Sequence, residues 1–94
     1  EYNAPATGDK YRDIAKAMGV EGTESMSVEE ARKAAIDAVK QLSHDVGIPA
    51  NLKEIVKEED IPFLAQSAYD DACRPGNPRD TSVEEITALY KKLI

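Results

Sequence analysis

The stretch "SVEEARKAAIDAVKQLSHDVGIP", residues 27–49, decides the fold class of this chain. Ser27 followed three residues later by Glu30 is a capping box, the signature of a helix start. Apolar side chains then recur every three or four residues, the spacing of one helix face. This stripe consists of Val28, Ala31, Ala35, Val39, Leu42 and Val46. Since Gly47 and Pro49 stop a helix, the stretch predicts one long amphipathic helix.

Three further segments have the same spacing. Their apolar residues are Tyr11, Ile14, Ala15 and Met18; Ile61, Leu64, Ala65, Ala68, Tyr69 and Ala72; and Ile86, Leu89, Tyr90 and Leu93. We expect the first helix to end at Gly19. Asp60 is expected to cap the next helix, which ends near Cys73. A second capping box, Ser82 to Glu85, opens the last helix.

Residues 51–56 predict a single helical turn capped by Asn51. No stretch alternates apolar and polar residues with the period of two that a strand requires. The sequence therefore predicts an all-α fold with about four helices plus a short helical turn. We expect residues 1–94 to form one domain, whose alanine-rich stripes suit close packing on each other or on a larger body.

The charge pattern restricts the partners. Acidic and basic residues alternate along the chain, although the formal net charge is −6. No positive patch is available to neutralise phosphates, so we expect no nucleic-acid partner. No apolar run approaches the roughly 18 residues of a membrane span, so we expect no membrane partner. A single cysteine and no leader segment predict a cytoplasmic protein.

Cys73 is the only cysteine, in "DDACRPGNPRD", residues 70–80. A nucleophilic cysteine needs a nearby cation, a helix N-terminus or a histidine to lower its pKa. The predicted position is a helix C-terminus beside Asp70 and Asp71, where negative potential disfavours a thiolate and only Arg74 opposes it. We therefore expect Cys73 to be a small packed apolar residue.

The other candidate groups also favour structural roles. Adjacent helical side chains point about 100° apart, so His44 and Asp45 should not face each other, and His44 should contact free carbonyls at the helix end. One histidine and one cysteine leave no zinc set. The carboxylate pairs are Glu29 with Glu30, Asp70 with Asp71, and Glu84 with Glu85; two of them suit helix N-termini. The scattered glycines form no nucleotide-binding motif.

Four stretches resemble, in order, the C-terminal part of the iron-containing (group III) alcohol dehydrogenases, the lactaldehyde/propanediol oxidoreductases most of all. They are "YNAPATGDKYRDIAKAMGV" (2–20), "MSVEEARKAAIDAVKQLSHDVGIPANLKEI" (26–55), "KEEDIPFLAQSAYDDAC" (57–73) and "GNPRDTSVEEITALYKKLI" (76–94). The most specific markers are "DVGIP" at 45–49, the asparagine-containing start at Tyr2 and "NPR" at 77–79. The resemblance covers nearly the whole chain.

This resemblance implies a two-domain, homo-oligomeric oxidoreductase acting on a small alcohol or aldehyde. An N-terminal α/β domain would bind NAD(P), and a helical domain would hold iron(II) through an aspartate and three histidines. That iron would polarise the alcohol oxygen and stabilise the alkoxide that donates hydride to the nicotinamide. The ligands would lie upstream of Glu1, so this chain would bind neither iron nor NAD(P) and would be inactive alone.

The resemblance also places the loop before the last helix near the substrate cleft. It implies that Cys73, Gly76, Asn77 and Pro78 line the substrate pocket of the parent enzyme, with no catalytic, cofactor-binding or metal-binding residue in this chain. Two alternatives remain. One is a free-standing acidic helical interaction module. The other is a carrier protein that attaches a prosthetic arm to Ser25, in the three residues Glu24-Ser25-Met26.

Overall fold

The computed structural model describes residues 1–94, and all its regular elements are helical. The α-helices are α1 (Lys10–Ala17), α2 (Val28–Asp45), α3 (Ile61–Asp70) and α4 (Val83–Lys91). Single 3-10 turns occupy Ala4–Ala6, Thr23–Ser25, Glu58–Asp60 and Arg74–Gly76. The prediction of an all-α fold with four helices and no strand is confirmed. The chain divides into two compact units, Glu1–Ile48 and Pro49–Ile94.

Helix α2 begins with half of the predicted capping box. The Ser27 hydroxyl oxygen accepts a hydrogen bond from the backbone N–H of Glu30 at 3.1 Å. The Glu30 carboxylate accepts from the Ser27 hydroxyl at 3.2 Å and makes no bond to the backbone N–H of Ser27. The helix start is as predicted, with one reciprocal bond missing.

Helix α2 ends in a Schellman motif, in which a left-handed residue turns the chain. Gly47 has a φ of +79°, and its N–H donates to the carbonyl of His44 at 3.1 Å. The N–H of Ile48 donates to the carbonyl of Ser43 at 2.8 Å. These two bonds satisfy carbonyls that have no partner inside the helix. Glycine is favoured at this position because a Cβ is strained at positive φ.

In the first unit, α1 packs against α2. Ala15 of α1 and Ala31 of α2 are fully buried, and Ala35 is 2% exposed. The other members of the predicted α2 stripe are exposed, Val28 at 38%, Val39 at 49%, Leu42 at 53% and Val46 at 63%. The predicted stripe is therefore buried only at its alanines, where small side chains bring the two helices together.

In the second unit, α3 packs against α4. Ile61 and Ala65 are its buried apolar residues, at 1% and 0% exposure. Asp60 does not cap α3 with its side chain, because its carboxylate accepts from the backbone N–H of Lys57 at 3.0 Å within the preceding 3-10 turn. Ala72 is exposed and lies beyond the helix, so its predicted place in the buried stripe is wrong.

Two further local predictions hold in the second unit, whereas Leu93, predicted on the inner face of the last helix, lies beyond α4 and is 38% exposed. The carboxylate of Glu85 accepts from the N–H of Ser82, and the Ser82 hydroxyl oxygen accepts from the N–H of Glu85, both at 3.1 Å. The Asn51 side-chain oxygen accepts from the N–H of Lys53 at 3.3 Å and opens a single turn. None of the helices is long and apolar enough to cross a membrane.

Candidate functional site

The segment from Asp71 to Arg79, called the Cys73 turn below, contains the predicted pocket residues. Helix α3 stops at Asp70 because the Asp71 carboxylate accepts from the backbone N–H of Cys73 at 2.7 Å, a local bond that competes with helix continuation. The N–H of Gly76 donates to the carbonyl of Cys73 at 3.0 Å. Hydrogen bonds therefore hold the backbone of Cys73 on both its N–H and its carbonyl.

Arg74 ties the Cys73 turn to the end of α3. Its Nε donates to the carbonyl of Tyr69 at 2.6 Å. The guanidinium carbon lies 4.2 Å from the centre of the Tyr69 ring, within the range of a cation–π contact. A cation at a helix C-terminus also interacts favourably with the negative end of the helix dipole. Arg74 is therefore an anchor of this turn.

Asn77 closes the other side of the Cys73 turn. Its side-chain amide donates to the carbonyl of Arg79 at 2.6 Å, across Pro78, and its own N–H donates to the carbonyl of Arg74 at 3.0 Å. Pro75 and Pro78 restrict φ at two further positions. The backbone of the Cys73 turn is consequently restricted in its conformation.

The surface of the Cys73 turn is open. Cys73 is an exposed free thiol, so the expectation that it is packed is wrong. It lies three residues beyond the end of α3, where no neighbouring side chain of the chain encloses it. A side chain added at Gly76 would meet nothing within 4 Å, and Pro78 is exposed. The turn thus presents the four predicted residues together, with Asn77 half-buried.

The His44 predictions are both wrong. The Nδ1 of His44 lies 3.6 Å from the carboxylate of Asp45, so the two side chains do approach. They can do so because they are exposed, His44 at 84% and Asp45 at 58%, and free to bend toward each other. The carbonyls of His44 and Ser43 accept from the backbone N–H groups of Gly47 and Ile48, and the imidazole makes no hydrogen bond to a carbonyl.

The donor residues of this chain do not fit an iron site. No group of three or more His, Cys, Asp or Glu side chains comes together. Glu29 lies 3.5 Å from Arg32, and Glu85 caps α4, so these acids have structural contacts. The Ser25 hydroxyl, the carrier candidate, donates to the carbonyl of Gly22 at 2.9 Å. No step of metal chemistry can be derived from these side chains.

Sequence reasoning missed the role of Arg12. Its guanidinium donates to the carbonyl of Met26 at 2.7 Å and to the carbonyl of Thr23, and its Nε lies 2.9 Å from the Asp9 carboxylate. These bonds hold the connection between α1 and α2. Thr23 beneath it is 2% exposed. Nothing in the sequence around Arg12 indicates this role, because its partners are backbone carbonyls and no sequence motif identifies them.

Sequence reasoning also missed a groove of about 320 Å³ between α1 and α2. It is lined by Glu1, Tyr11, Ile14, Ala35, Ile36, Val39 and Lys40. The Lys40 ammonium donates to the Glu1 carboxylate, and this hydrogen bond, followed by the charge of Glu1, raises the pKa of Lys40. The groove is apolar with one ion pair among its lining residues.

A family model, "Fe-containing alcohol dehydrogenase family, C-terminal", matches residues 1–94. The chain belongs to the Fe-containing alcohol dehydrogenase family. The chain is 58% identical over 90 residues to lactaldehyde reductase of Escherichia coli (strain K12), covering 95% of this chain and 23% of that protein. It is 39% identical over 92 residues to 1,3-propanediol dehydrogenase of Citrobacter freundii, covering 97% of this chain and 24% of that protein.

The fold of the chain agrees with this membership. A crystal structure of 1,3-propanediol oxidoreductase matches with a TM-score of 0.91 and 38% identity, over 99% of this chain and 24% of that chain. The resemblance inferred from the residues is therefore confirmed, and a free-standing interaction module is not favoured. The chain spans about a quarter of the length of these relatives.

Proposed function

We propose that these residues form the distal part of the helical domain of an iron-dependent, NAD(P)-linked alcohol dehydrogenase, called the parent dehydrogenase below. Its substrates would be small alcohols, diols or aldehydes such as propanediol and lactaldehyde. The 58% identity to lactaldehyde reductase over 95% of the chain carries this proposal. Because the chain covers 23% of that relative, the activity belongs to the parent dehydrogenase as a whole.

In this proposal, the remainder of the parent dehydrogenase holds both iron(II) and NAD(P). For the iron, the donor set of residues 1–94 supports this division, because it brings no three metal-binding side chains together. The chain by itself is then inactive. Family membership also leads us to propose a cytoplasmic, homo-oligomeric parent dehydrogenase.

We assign to the Cys73 turn a part of the substrate-pocket wall, formed by Cys73, Gly76, Asn77 and Pro78. Its open face and its hydrogen-bonded backbone support this role. A rigid wall matters because a substrate misplaced by about 1 Å can lose about a hundredfold in rate. The surfaces of Cys73 and Pro78 would contact carbon atoms of a small alcohol, while residues outside this chain carry out the reaction.

The reaction is tested with the full-length parent dehydrogenase loaded with iron(II). We expect it to oxidise NADH or NADPH when lactaldehyde is added, and we expect residues 1–94 alone to show no turnover. The assay follows nicotinamide absorbance with and without a chelator. An iron-loaded, folded parent dehydrogenase that reduces no small aldehyde would rule out the reaction.

The pocket role is tested by Cys73→Ala in the same enzyme. Removing the sulfur changes the pocket volume, so we expect the relative kcat/KM for two aldehydes of different length to change by about tenfold, with kcat largely retained. Ser67→Ala, an exposed position on α3, is the control and should change neither constant. Loss of kcat with iron still bound would show that Cys73 does more than line the pocket.

A further inference from the structure

Helix α3 ends through an exchange of hydrogen-bond partners. If the helix continued, the N–H of Cys73 would donate to the carbonyl of Tyr69, four residues earlier. Instead, the Cys73 N–H donates to the Asp71 carboxylate at 2.7 Å. The Tyr69 carbonyl accepts from the Nε of Arg74 at 2.6 Å. Two side-chain bonds thus replace one backbone bond, so both backbone groups keep a partner although the helix has ended.

Cys73 lies between the two side chains that make this exchange. Asp71 is extended, with φ −62° and ψ 134°, whereas Cys73 returns to helical angles, with φ −85° and ψ −12°. The N–H of Arg74 donates to the carbonyl of Asp71 at 3.1 Å, so a tight turn joins the two residues around Cys73. The place of the Cys73 backbone is therefore fixed by one neighbour on each side.

The Arg74 side chain ties this turn to α3 in two ways at once. Besides the bond from its Nε, the guanidinium lies 4.2 Å from the centre of the Tyr69 ring. Movement of the turn relative to the end of α3 would break both contacts. A lysine could not replace them, because its ammonium is a point charge on a flexible stem without a planar face or an Nε.

We propose that Asp71 and Arg74 are positioning residues that fix Cys73 in the substrate-pocket wall and thereby set the length of aldehyde that the parent dehydrogenase prefers. This inference rests on the proposed function, because it takes Cys73 as part of that wall. Neither residue has to touch the substrate. Their effect passes through the place of the Cys73 side chain, since a shift of about 1 Å in a substrate's position can change its rate about a hundredfold.

The test measures kcat/KM for propanal and pentanal in the iron-loaded, full-length parent dehydrogenase. In Asp71→Ala the Cys73 N–H loses its acceptor, so we expect the ratio of the two constants to change by about threefold to tenfold. Asp71→Asn keeps a side-chain oxygen that can accept and should restore the original ratio. A purely structural loss would lower both constants equally and leave the ratio unchanged.

Asp70→Ala is the matched control. It removes the neighbouring carboxylate, which accepts from the Gln66 amide at 3.1 Å and makes no bond to the turn, so the ratio should stay the same. If Asp71→Ala does not fold, Arg74→Met tests the same proposal, because it removes the guanidinium and keeps a long side chain. We expect its ratio to change in the direction that Cys73→Ala gives.

Action through Cys73 is tested by combining the variants. In the Cys73→Ala background, we expect Asp71→Ala to change the ratio by less than about twofold, since the side chain that it positions is gone. Equal changes in the two backgrounds overturn the proposal. An unchanged ratio in Asp71→Ala and Arg74→Met, in an enzyme that still reduces lactaldehyde, also overturns it and leaves the proposed reaction standing.

Hydrogen exchange tests the positioning without turnover. In the folded parent dehydrogenase, we expect a peptide covering residues 71–79 to exchange about fivefold faster in Asp71→Ala, and at the original rate in Asp71→Asn and Asp70→Ala. Unchanged exchange in Asp71→Ala overturns the proposal. If the enzyme reduces no aldehyde, the proposed reaction is refuted, and the exchange rates still decide whether Asp71 holds Cys73 in place.

Discussion

The helix pair α1–α2 and the helix pair α3–α4 use different side chains at their contacts. In the first pair the buried apolar residues are alanines, Ala15, Ala31 and Ala35. In the second pair Ile61 is buried at 1% exposure beside Ala65. Alanine allows helices to approach closely but removes little apolar area from water, whereas isoleucine removes much more. Similar helical patterns thus lead to a close contact in one unit and to a larger buried side chain in the other.

The largest expected effect is on the second pair. Ile61→Ala removes the largest buried apolar side chain and leaves a cavity, so we expect a loss of about 2–5 kcal/mol in the free energy of unfolding, measured by urea denaturation. Phe63→Ala, at a side chain 75% exposed, is the control and should cost much less. Equal losses would mean that Phe63 is covered in solution.

The first pair should instead be sensitive to added volume. Ala31→Leu places a larger side chain where no exposed area remains, so we expect a loss of about 1–3 kcal/mol by the same measurement. Ala17→Leu adds the same atoms at an exposed position of α1 and should change stability little. If Ala31→Leu were neutral, the α1–α2 contact would not be close-packed.

The two capping serines allow the same comparison between the helix pairs, with smaller expected losses of stability. Ser82→Ala removes the hydroxyl from a reciprocal pair of bonds with Glu85, and we expect a loss of about 1 kcal/mol. Ser27→Ala removes one backbone bond from an exposed helix start and should cost less. Thermal melts of both variants, with Ser67→Ala as control, rank the caps. A larger loss at Ser27 would contradict the half-formed capping box.

The smallest effect concerns an exposed ion pair of the first unit. A hydrogen bond from Lys16 at 3.2 Å, with the charge of Lys16 as a further cause, holds the pKa of Glu24 below its ordinary value of 4.5. A lowered folded-state pKa stabilises the folded state above pH 4.5, and this contribution disappears as pH falls through the lowered pKa. Because the pair is exposed, the contribution is small and is screened by salt.

The pH dependence is measured by comparing Glu24→Gln with the original chain in melts from neutral to acid pH. We expect the difference in melting temperature to shrink as the pH falls below about 4.5. Glu21→Gln, at an exposed residue nearby, is the control and should show no such convergence. A difference between Glu24→Gln and the original chain that persists in strong acid would assign the effect to something other than charge.

Helix positions could be predicted from the sequence because their signals are local. Ser27, Gly47 and Ser82 act on backbone groups within a few residues, and the structure places helix ends at all three. Asp60 was predicted as a cap by the same logic, but its carboxylate serves the turn before the helix. Two local partners competed for that carboxylate, and residue type alone does not determine which one it contacts.

At the candidate site, too, some features could be predicted from the sequence and others could not. Residue type and order identified the family, and the turn around Cys73 follows from its prolines and glycine. Its hydrogen bonds through Asp71 and Arg74 and the exposure of the thiol could not be predicted, because they depend on where α3 stops. The bonds of Arg12 to two backbone carbonyls are likewise absent from any side-chain pattern.

The sequence by itself determined that this chain is all-α, where its four α-helices lie and which family it belongs to. Those properties depend on hydrogen bonds within a turn and on residues in a fixed order. The tertiary structure decided which half of the α2 stripe is buried, and it left Val39, Leu42 and Val46 exposed. Burial is decided by what packs across from a residue, and the periodicity of a helix states only which side is apolar.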